Sequence, residues 1–388
     1  MVVTAHSKDS CRVLILEPSN NLWGSERVLL DFLQIASASP SAWKIAVCCP
    51  PNSPIIPRLS RLPIKVFPTF IANLHLKTRA HRLSATINFL FTAFVFRPKL
   101  LYVNQAGATK IALLVARILR LPVIAHVRLA EDVQYIGSLG AKASQLQSIV
   151  CVSNYMLGLL KAEDNLRSNR LRMLYDPYSP RNNWNGKDDM PQSAHDNTVS
   201  CVGRLTPIKG QDILLRAISS LRSEGVFLRV LMVGASPAGD GFETKLRELA
   251  RTLEISDQVT WLGYQDDVFT AIHGSMGQVC PSHQEPLGRV IFEAWDAGLV
   301  PISWSGAGGS AEAITDSKGG MLYDDQDAKS LAVALRTLLG MNTYQRQQMI
   351  RKGRGWLRKH CDPEEFSHSM FAVWQDALDT HRNDYENA

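Results

Sequence analysis

What most constrains this chain is a rhythm of short apolar runs alternating with amphipathic stretches, set down twice. Residues 12–17, 44–49, 64–67, 100–103, 123–126 and 149–152 are strand-like, with 171–175 a seventh, and helical spacing intervenes from residues 26–35 onward. Near-continuous apolar strands separated by helices are what a parallel sheet covered on both faces requires. Residues 179–197, rich in Pro, Asn and Asp, break the pattern and read as a linker. Beyond them it resumes, with strands near 198–202, 228–233, 259–262, 278–281, 300–304 and 321–323. The sequence therefore predicts an α/β chain of two Rossmann-like, doubly wound domains, residues 1–178 and 198–362, whose carboxyl edges face a common cleft. A chain of 388 residues is long enough for each domain to bury its own core.

Charge is divided unevenly between the halves. Residues 1–190 carry 23 Lys+Arg against 11 Asp+Glu, and the remainder 19 against 25. No acidic residue stands between Asp31 and Glu131, where 13 basic ones occur. Such a stretch fits a solvated basic surface, or a face that meets an anionic membrane or a lipid-diphosphate. Arg58, Arg61, Lys65, Lys77, Arg79 and Arg82 lead into an apolar stretch with Phe89, Leu90, Phe91, Phe94 and Phe96. A monotopic membrane contact and plain core packing both fit those phenylalanines. The stretch is too short to span a bilayer. The first ten residues lack the apolar core of a secretory signal, and seven cysteines without a Cys-x-x-Cys pair suit a reduced chain with no structural zinc. The expected location is cytoplasmic, peripheral on the inner face of the cytoplasmic membrane. No nucleic-acid-binding module is present.

Several turns carry chemistry. Gly203-Arg204-Leu205 ends a strand, and Lys209-Gly210 opens the apolar-periodic helix that follows. Two cations at the carboxyl end of a strand suit a diphosphate. Glu285-Pro-Leu287-Gly288-Arg289-Val-Ile-Phe-Glu293 places two carboxylates eight positions apart around a helix start near Leu287. The start offers unpaired N–H groups to an anion, and the carboxylates suit hydroxyls. On spacing alone, the same pair fits a solvated helix. Gly308-Gly309-Ser-Ala-Glu312 makes a third strand-to-helix turn.

In this order and at these distances, the three turns resemble the donor-binding half of the family 4 glycosyltransferases, the "group 1" glycosyl transferases of GT-B fold, over residues 198–325. The resemblance implies a retaining transfer of a hexose from a nucleotide-diphosphate sugar to a saccharide or lipid-linked acceptor, as in cell-surface polysaccharide or glycolipid synthesis. It implies that Arg204 and Lys209 hold the diphosphate, that Glu293 binds the ribose, and that Glu285 faces hexose hydroxyls. The N–H groups of Leu287, Gly288 and Arg289 would assist. Retention by front-side attack assigns Glu285 no nucleophilic role. In the first half, Gly24 falls where the family approaches the diphosphate, although Trp23 and Ser25 flank it where relatives carry further glycines. Trp23, Ser25 and Arg128 would lie on the acceptor side, where Trp23 suits stacking on a sugar ring or capping of the core and Arg128 a phosphate of donor or acceptor. His126 falls where the family places a histidine beside the reacting sugar. Tyr175-Asp176-Pro177 departs from the family's Asn-Gly turn. The family's last helix, which crosses back onto the first domain, corresponds to residues 363–381. With no Asp-x-Asp motif at a suitable strand end and two cations in the metal's electrostatic role, no metal or other cofactor is expected.

Three rivals share parts of this pattern. A sugar-nucleotide epimerase of the same fold acts without an acceptor, and a non-catalytic donor-binding subunit keeps the site without transfer. A nicotinamide-dependent dehydrogenase needs Gly-x-Gly-x-x-Gly after a first strand, and neither half has it.

Overall fold

The computed structural model describes residues 11–38, 43–71, 78–181, 197–237 and 239–386. Two compact units emerge: residues up to Pro177 together with those from Asp362 onward, and Tyr178–Cys361. Most of the stretch read as a linker, 182–196, lies outside the described residues, as does Lys77.

The first unit alternates β1 (Cys11–Leu16), α1 (Gly24–Ala38), β2 (Trp43–Cys49), α2 (Ile56–Leu59), β3 (Lys65–Pro68), α3 (Arg79–Phe96), β4 (Leu100–Val103), α4 (Thr109–Leu119), β5 (Val123–Val127), α5 (Ala130–Gly137), β6 (Ser148–Cys151), α6 (Asn154–Lys161) and β7 (Leu171–Met173). The strands form one sheet in the order β3-β2-β1-β4-β5-β6-β7, with every described pairing parallel. The second unit runs β8 (Thr198–Val202), α7 (Gln211–Ser223), β9 (Arg229–Val233), α8 (Phe242–Thr252), β10 (Val259–Gly263), α9 (Val268–Ile272), β11 (Gly277–Cys280), α10 (Arg289–Asp296), β12 (Val300–Trp304), α11 (Gly309–Ser317), β13 (Met321–Tyr323), α12 (Ala328–Gly340) and α13 (Thr343–His360). Its sheet has the order β10-β9-β8-β11-β12-β13 and is again parallel. Both orders are those of a doubly wound Rossmann-like sheet, as the alternating pattern predicts. In each sheet the winding reverses between the first and fourth strands, β1 and β4 or β8 and β11. In open sheets of this kind ligands bind at the carboxyl ends of the strands beside such a reversal.

The final helix, α14 (Pro363–Glu386), belongs to the first unit. Phe366, Met370, Val373, Trp374 and Ala377 recur at helical spacing and enter the core that holds Val13, Phe32, Val47 and Tyr102. Trp374 is fully buried, with its ring centroid 5.6 Å from Phe32 and 5.4 Å from Trp43. The helix runs five residues past the expected end at 381. Helix α10 begins at Arg289, two residues later than the apolar pattern suggests, because Gly288 takes a left-handed conformation (φ 80°) and ends the loop there. Glu293 thus stands just over one turn into the helix. Among the described residues no helix is long and apolar enough to cross a membrane.

Replacing Trp374 by Ala should destabilise the protein by about 3–5 kcal/mol, through lost burial and the cavity left behind. Trp374→Phe should cost much less, since the indole N–H has no acceptor among the described residues. Urea unfolding of the full chain measures both; a Trp374→Ala loss below about 1 kcal/mol would mean that α14 does not anchor the first core.

Candidate functional site

In the second unit, functional side chains gather where β8 and β11 part. Gly210 (φ 66°) ends a short turn at 207–209 and opens α7; a Cβ there would lie 2.1 Å from the Pro281 carbonyl oxygen. That close approach brings Lys209 to the end of β11, where it forms an ion pair with Glu285. The Ser282 hydroxyl donates to the same Glu285 Oε1 at 2.9 Å, and the His283 N–H bonds the Ile208 carbonyl at 2.8 Å. Burial opposes the Lys209 charge, but the facing carboxylate outweighs it and holds the Lys209 pKa above its usual value. Arg204, exposed beside this pair, acts on Lys209 electrostatically, and its carbonyl accepts from Gln211 Nε2 at 2.8 Å.

Glu285 is held by its own backbone as firmly as by its side chain. Its N–H donates to Ala307 O and its carbonyl accepts from Gly309 N–H, both at 2.7 Å. The loops can lie this close because Gly288 and Gly309 stand where they cross. A Cβ on Gly309 would be 2.2 Å from Pro286 O, and one on Gly288 would be 2.6 Å from Ser310 Cβ. Leu287 and Gly288 are buried, and Arg289 starts α10 with its guanidinium over the Tyr178 ring, 5.7 Å from its centroid. Glu293 is half-buried on the same helix and, like Arg289, acts electrostatically on Tyr178. The Tyr178 hydroxyl donates to Asp296 Oδ2 at 3.0 Å. The sequence reading passed over Ser282 and Tyr178. For Ser282 a signal existed, since it sits three residues before Glu285 at a strand end.

The first unit holds a buried polar chain at its own switch point. Glu17 follows β1 and accepts from Asn104 Nδ2, which follows β4, at 2.5 Å, and from Ser19 N–H at 2.9 Å. Asn104 in turn accepts from Arg128 at its side-chain and backbone oxygens, at 3.1 and 3.2 Å. Arg128 pairs with Asp176 at 2.5 Å, both buried. Burial works against the guanidinium charge, but Asp176, Tyr102 and Glu17 more than offset it. Arg128, expected to face the acceptor, is thus engaged on several sides within the unit. Asp176, the departure from the family's turn, is its counter-ion.

His126 lies inside this chain, on β5, and is fully buried. Its Nδ1 meets the Tyr102 hydroxyl at 2.5 Å and Arg128 Nη2 at 3.3 Å. A guanidinium can only donate, and burial holds the Tyr102 hydroxyl well above its usual pKa and therefore protonated. Nδ1 must then accept, which places the imidazole proton on Nε2. Burial first, and then Arg128, lower the His126 pKa well below normal, so the ring is neutral. Its Nε2–H has no partner among the described residues. The arrangement therefore presents a neutral hydrogen-bond donor, not an imidazolium.

The turn after β1 is built differently. Trp23 caps α1, its N–H bonded to Glu26 Oε2 at 2.8 Å, while Gln105 Nε2 reaches Ser25 Oγ at 3.0 Å and Glu26 Oε1 at 2.8 Å. Gly24 is exposed at the first helical position and Trp23 is 40% exposed. Among the described residues no three metal-ligating side chains come together. An acidic run, Asp324–Asp327, does follow β13, but there Asp327 caps α12 by accepting from Ser330 N–H at 2.7 Å.

With this geometry in view, the likenesses to known proteins take on structural meaning. Residues 185–356 match the family described as "Glycosyl transferases group 1". The D-inositol 3-phosphate glycosyltransferase of Salinispora tropica is 30% identical over 201 residues, 50% of this chain and 41% of the relative. That of Nocardia farcinica is 34% identical over 169 residues, 42% of this chain and 37% of the relative. The chain thus spans less than half the length of these curated relatives. Among solved structures, Anabaena Alr3699/HepE, in complex with UDP and glucose, superposes with a TM-score of 0.76 at 19% identity, covering 94% of this chain and 99% of that one. A glycosyltransferase from Rickettsia africae gives 0.78 at 15%, covering 95% and 99%. Sucrose-phosphate synthase from Thermosynechococcus elongatus gives 0.76 at 17%, covering 95% and 100%. At such identities the likeness is one of fold: the chain has the two Rossmann-like domains of the GT-B glycosyltransferases.

The first-unit network makes stability depend on pH in two opposing ways. Burial, and then Glu26, raise Glu17 from 4.5 to about 7, so folding retains a proton that the unfolded chain releases and stability falls between those values. His126 acts oppositely, losing stability as pH falls below its unfolded value of 6.5. Glu17→Gln should flatten the loss between pH 5 and 7.5, by at most about 3 kcal/mol. Urea titrations at several pH values measure the slope; an unchanged slope would place the Glu17 proton elsewhere.

Proposed function

We propose that this protein is a retaining hexosyltransferase that uses a nucleotide-diphosphate sugar without a metal ion. The observation that carries the reading is the Lys209–Glu285–Ser282 cluster at the switch point of the second unit, inside the segment matching the group 1 glycosyl transferases. Lys209, with Arg204, meets the diphosphate and stabilises the charge that develops on it as the glycosidic bond breaks. When the donor binds, Lys209 exchanges part of its pairing with Glu285 for phosphate oxygens. Glu285 is freed to accept from hexose hydroxyls. The backbone N–H groups of Leu287, Gly288 and Arg289, where α10 begins, contribute further donors to sugar and phosphate. Glu293, half-buried on α10, accepts from the ribose. The departing phosphate takes the acceptor's proton, so no carboxylate acts as nucleophile.

A uridine nucleotide is the first donor to test, since a neighbour of the same fold is described in complex with UDP and another crystal of it with UDP-glucose. In the first unit, the N-terminal turn of α1, with Gly24 and Ser25, lies at the carboxyl edge where a diphosphate is approached, and Trp23 offers an apolar ring to a saccharide. His126 donates from Nε2 to the transferred hexose. The acceptor is a saccharide or lipid-linked saccharide of a cell-surface polysaccharide or glycolipid, and the work is done at the cytoplasmic side of the membrane.

Thermal-shift titration with UDP, GDP, ADP and their common sugars tests the donor site. A ligand at a hundred times its Kd should stabilise the folded chain by about 2.7 kcal/mol. Glu293→Ala should weaken that nucleotide by roughly 1.5–3 kcal/mol. Lys209→Ala should lower turnover far more than melting temperature. Transfer with the anomeric configuration retained, undiminished by a chelator, is the expected outcome. Inverted product, full activity in all three variants (Arg204→Ala included), or loss of activity on chelation would each overturn its part of the proposal.

A further inference from the structure

The helix rich in phenylalanine resolves an ambiguity that its sequence leaves open. At roughly 100° per residue, Ala85, Phe89, Thr92, Ala93 and Phe96 fall on one side of α3, and all are buried. Leu83, Ile87, Phe91, Phe94 and Val95 fall within an arc of about 120° on the other side. These five are exposed: Leu83 by 62% and Phe91 and Phe94 by 66% each. The helix is therefore apolar on both sides, and among the described residues one of them stays exposed. Helix α4 lies beside it and adds exposed Leu114 and Ile118, one turn apart. Scattered exposed leucines are ordinary, but two large aromatics and five aliphatics on adjoining helices form a patch that asks for a partner.

The charges around the patch indicate which partner. Arg79 and Arg82 stand at the start of α3 and Arg97 at its end, while Lys110, Arg117 and Arg120 lie along and just after α4, all exposed. No acidic residue occurs in the sequence between Asp31 and Glu131, so this stretch itself carries positive charge only. A second copy of the chain docking through the same face would set like charges against like. An anionic lipid surface satisfies both properties, since phenylalanines enter the acyl boundary while the guanidinium groups meet phosphates.

We propose that the paired outer faces of α3 and α4 dock the first unit onto an anionic phospholipid bilayer. The inference stands on exposure and charge and does not depend on the transferase reading. It differs from the broader expectation of a basic surface in naming the side chains that enter the lipid. Phe91, Phe94, Leu83 and Ile87 insert, whereas Phe89 and Phe96 remain in the core. Arg58, Arg61 and Lys65 are exposed around α2 and β3, outside the two helices that carry this face.

Co-sedimentation of the full chain with phosphatidylcholine vesicles, with and without phosphatidylglycerol, tests it directly. Wild-type protein should bind the anionic vesicles, with affinity falling as salt rises. The double variant Phe91→Ser with Phe94→Ser should lose about tenfold or more in partitioning at an unchanged melting temperature. Arg79→Glu with Arg117→Glu should lose binding to anionic vesicles, and Tyr344→Ser, an exposed aromatic of the second unit, should bind as wild type. Failure of the wild type to bind anionic vesicles at low salt would overturn the proposal. So would a Phe91/Phe94 variant that binds normally, or equal binding to neutral vesicles. If light scattering instead shows a dimer that the phenylalanine variant breaks, without vesicle binding, the face joins two copies and the lipid assignment is wrong. A nucleotide titration of the Phe91/Phe94 variant separates this result from the donor site, because that site should be unaffected.

Discussion

Two backbone hydrogen bonds, from Glu285 N–H to Ala307 and from Gly309 N–H to the Glu285 carbonyl, set the geometry on which the second unit's site depends. They fasten the loop after β11 to the loop after β12, so the two helices that follow, α10 and α11, start side by side. The contact tolerates no Cβ at Gly309, which would meet Pro286 O at 2.2 Å. With the backbone of Glu285 immobilised, its side chain needs little ordering to receive Lys209 and Ser282. Such pre-organisation is what a binding site requires, because groups already in place lose less entropy when a ligand arrives. The Gly210–Pro281 approach does the same for the lysine, pressing the start of α7 against the end of β11.

The first unit answers the same problem with side chains instead of backbone. Its switch point is bridged by Glu17, Asn104, Arg128 and Asp176, a chain of buried polar groups reaching from the end of β1 to the residues after β7. A buried charge is costly unless it is paired and hydrogen-bonded, and here each member satisfies the next. The same chain determines the state of His126. By donating to Nδ1, Tyr102 and Arg128 leave the proton on Nε2, and by excluding water they keep the ring neutral. Arg128 therefore helps to set the protonation state of His126.

Much of the candidate site could be read from the sequence. Arg204, Lys209 and Glu285 stand in turns whose glycines and flanking apolar runs mark strand ends and helix starts, and Glu293 lies in the helix that one of them opens. The register of α10 was less legible, because Leu287 is apolar and continues the helical pattern. Only the left-handed φ of Gly288 moves the start to Arg289. Glu17 and Asn104 carried no local signal, and Asp176 stood out only as a departure from the family's turn, with nothing to name its partner. A lone acid after a strand looks like any solvated loop residue, and 159 positions separate Glu17 from Asp176.

What the sequence by itself determined is the class of fold and the order of its elements. Alternating apolar runs and amphipathic helices can be buried in few other ways than two parallel sheets with crossover helices, and that periodicity is local information. Tertiary structure alone decided which charges meet. It matched Arg128 with Asp176 and Lys209 with Glu285 by closing loops that are far apart along the chain. It also divided one run of phenylalanines between core and surface, since helix rotation about the sheet buries Phe89 and Phe96 and leaves Phe91 and Phe94 outside. Pairing and facing depend on how elements pack, and no spacing within a single element encodes them.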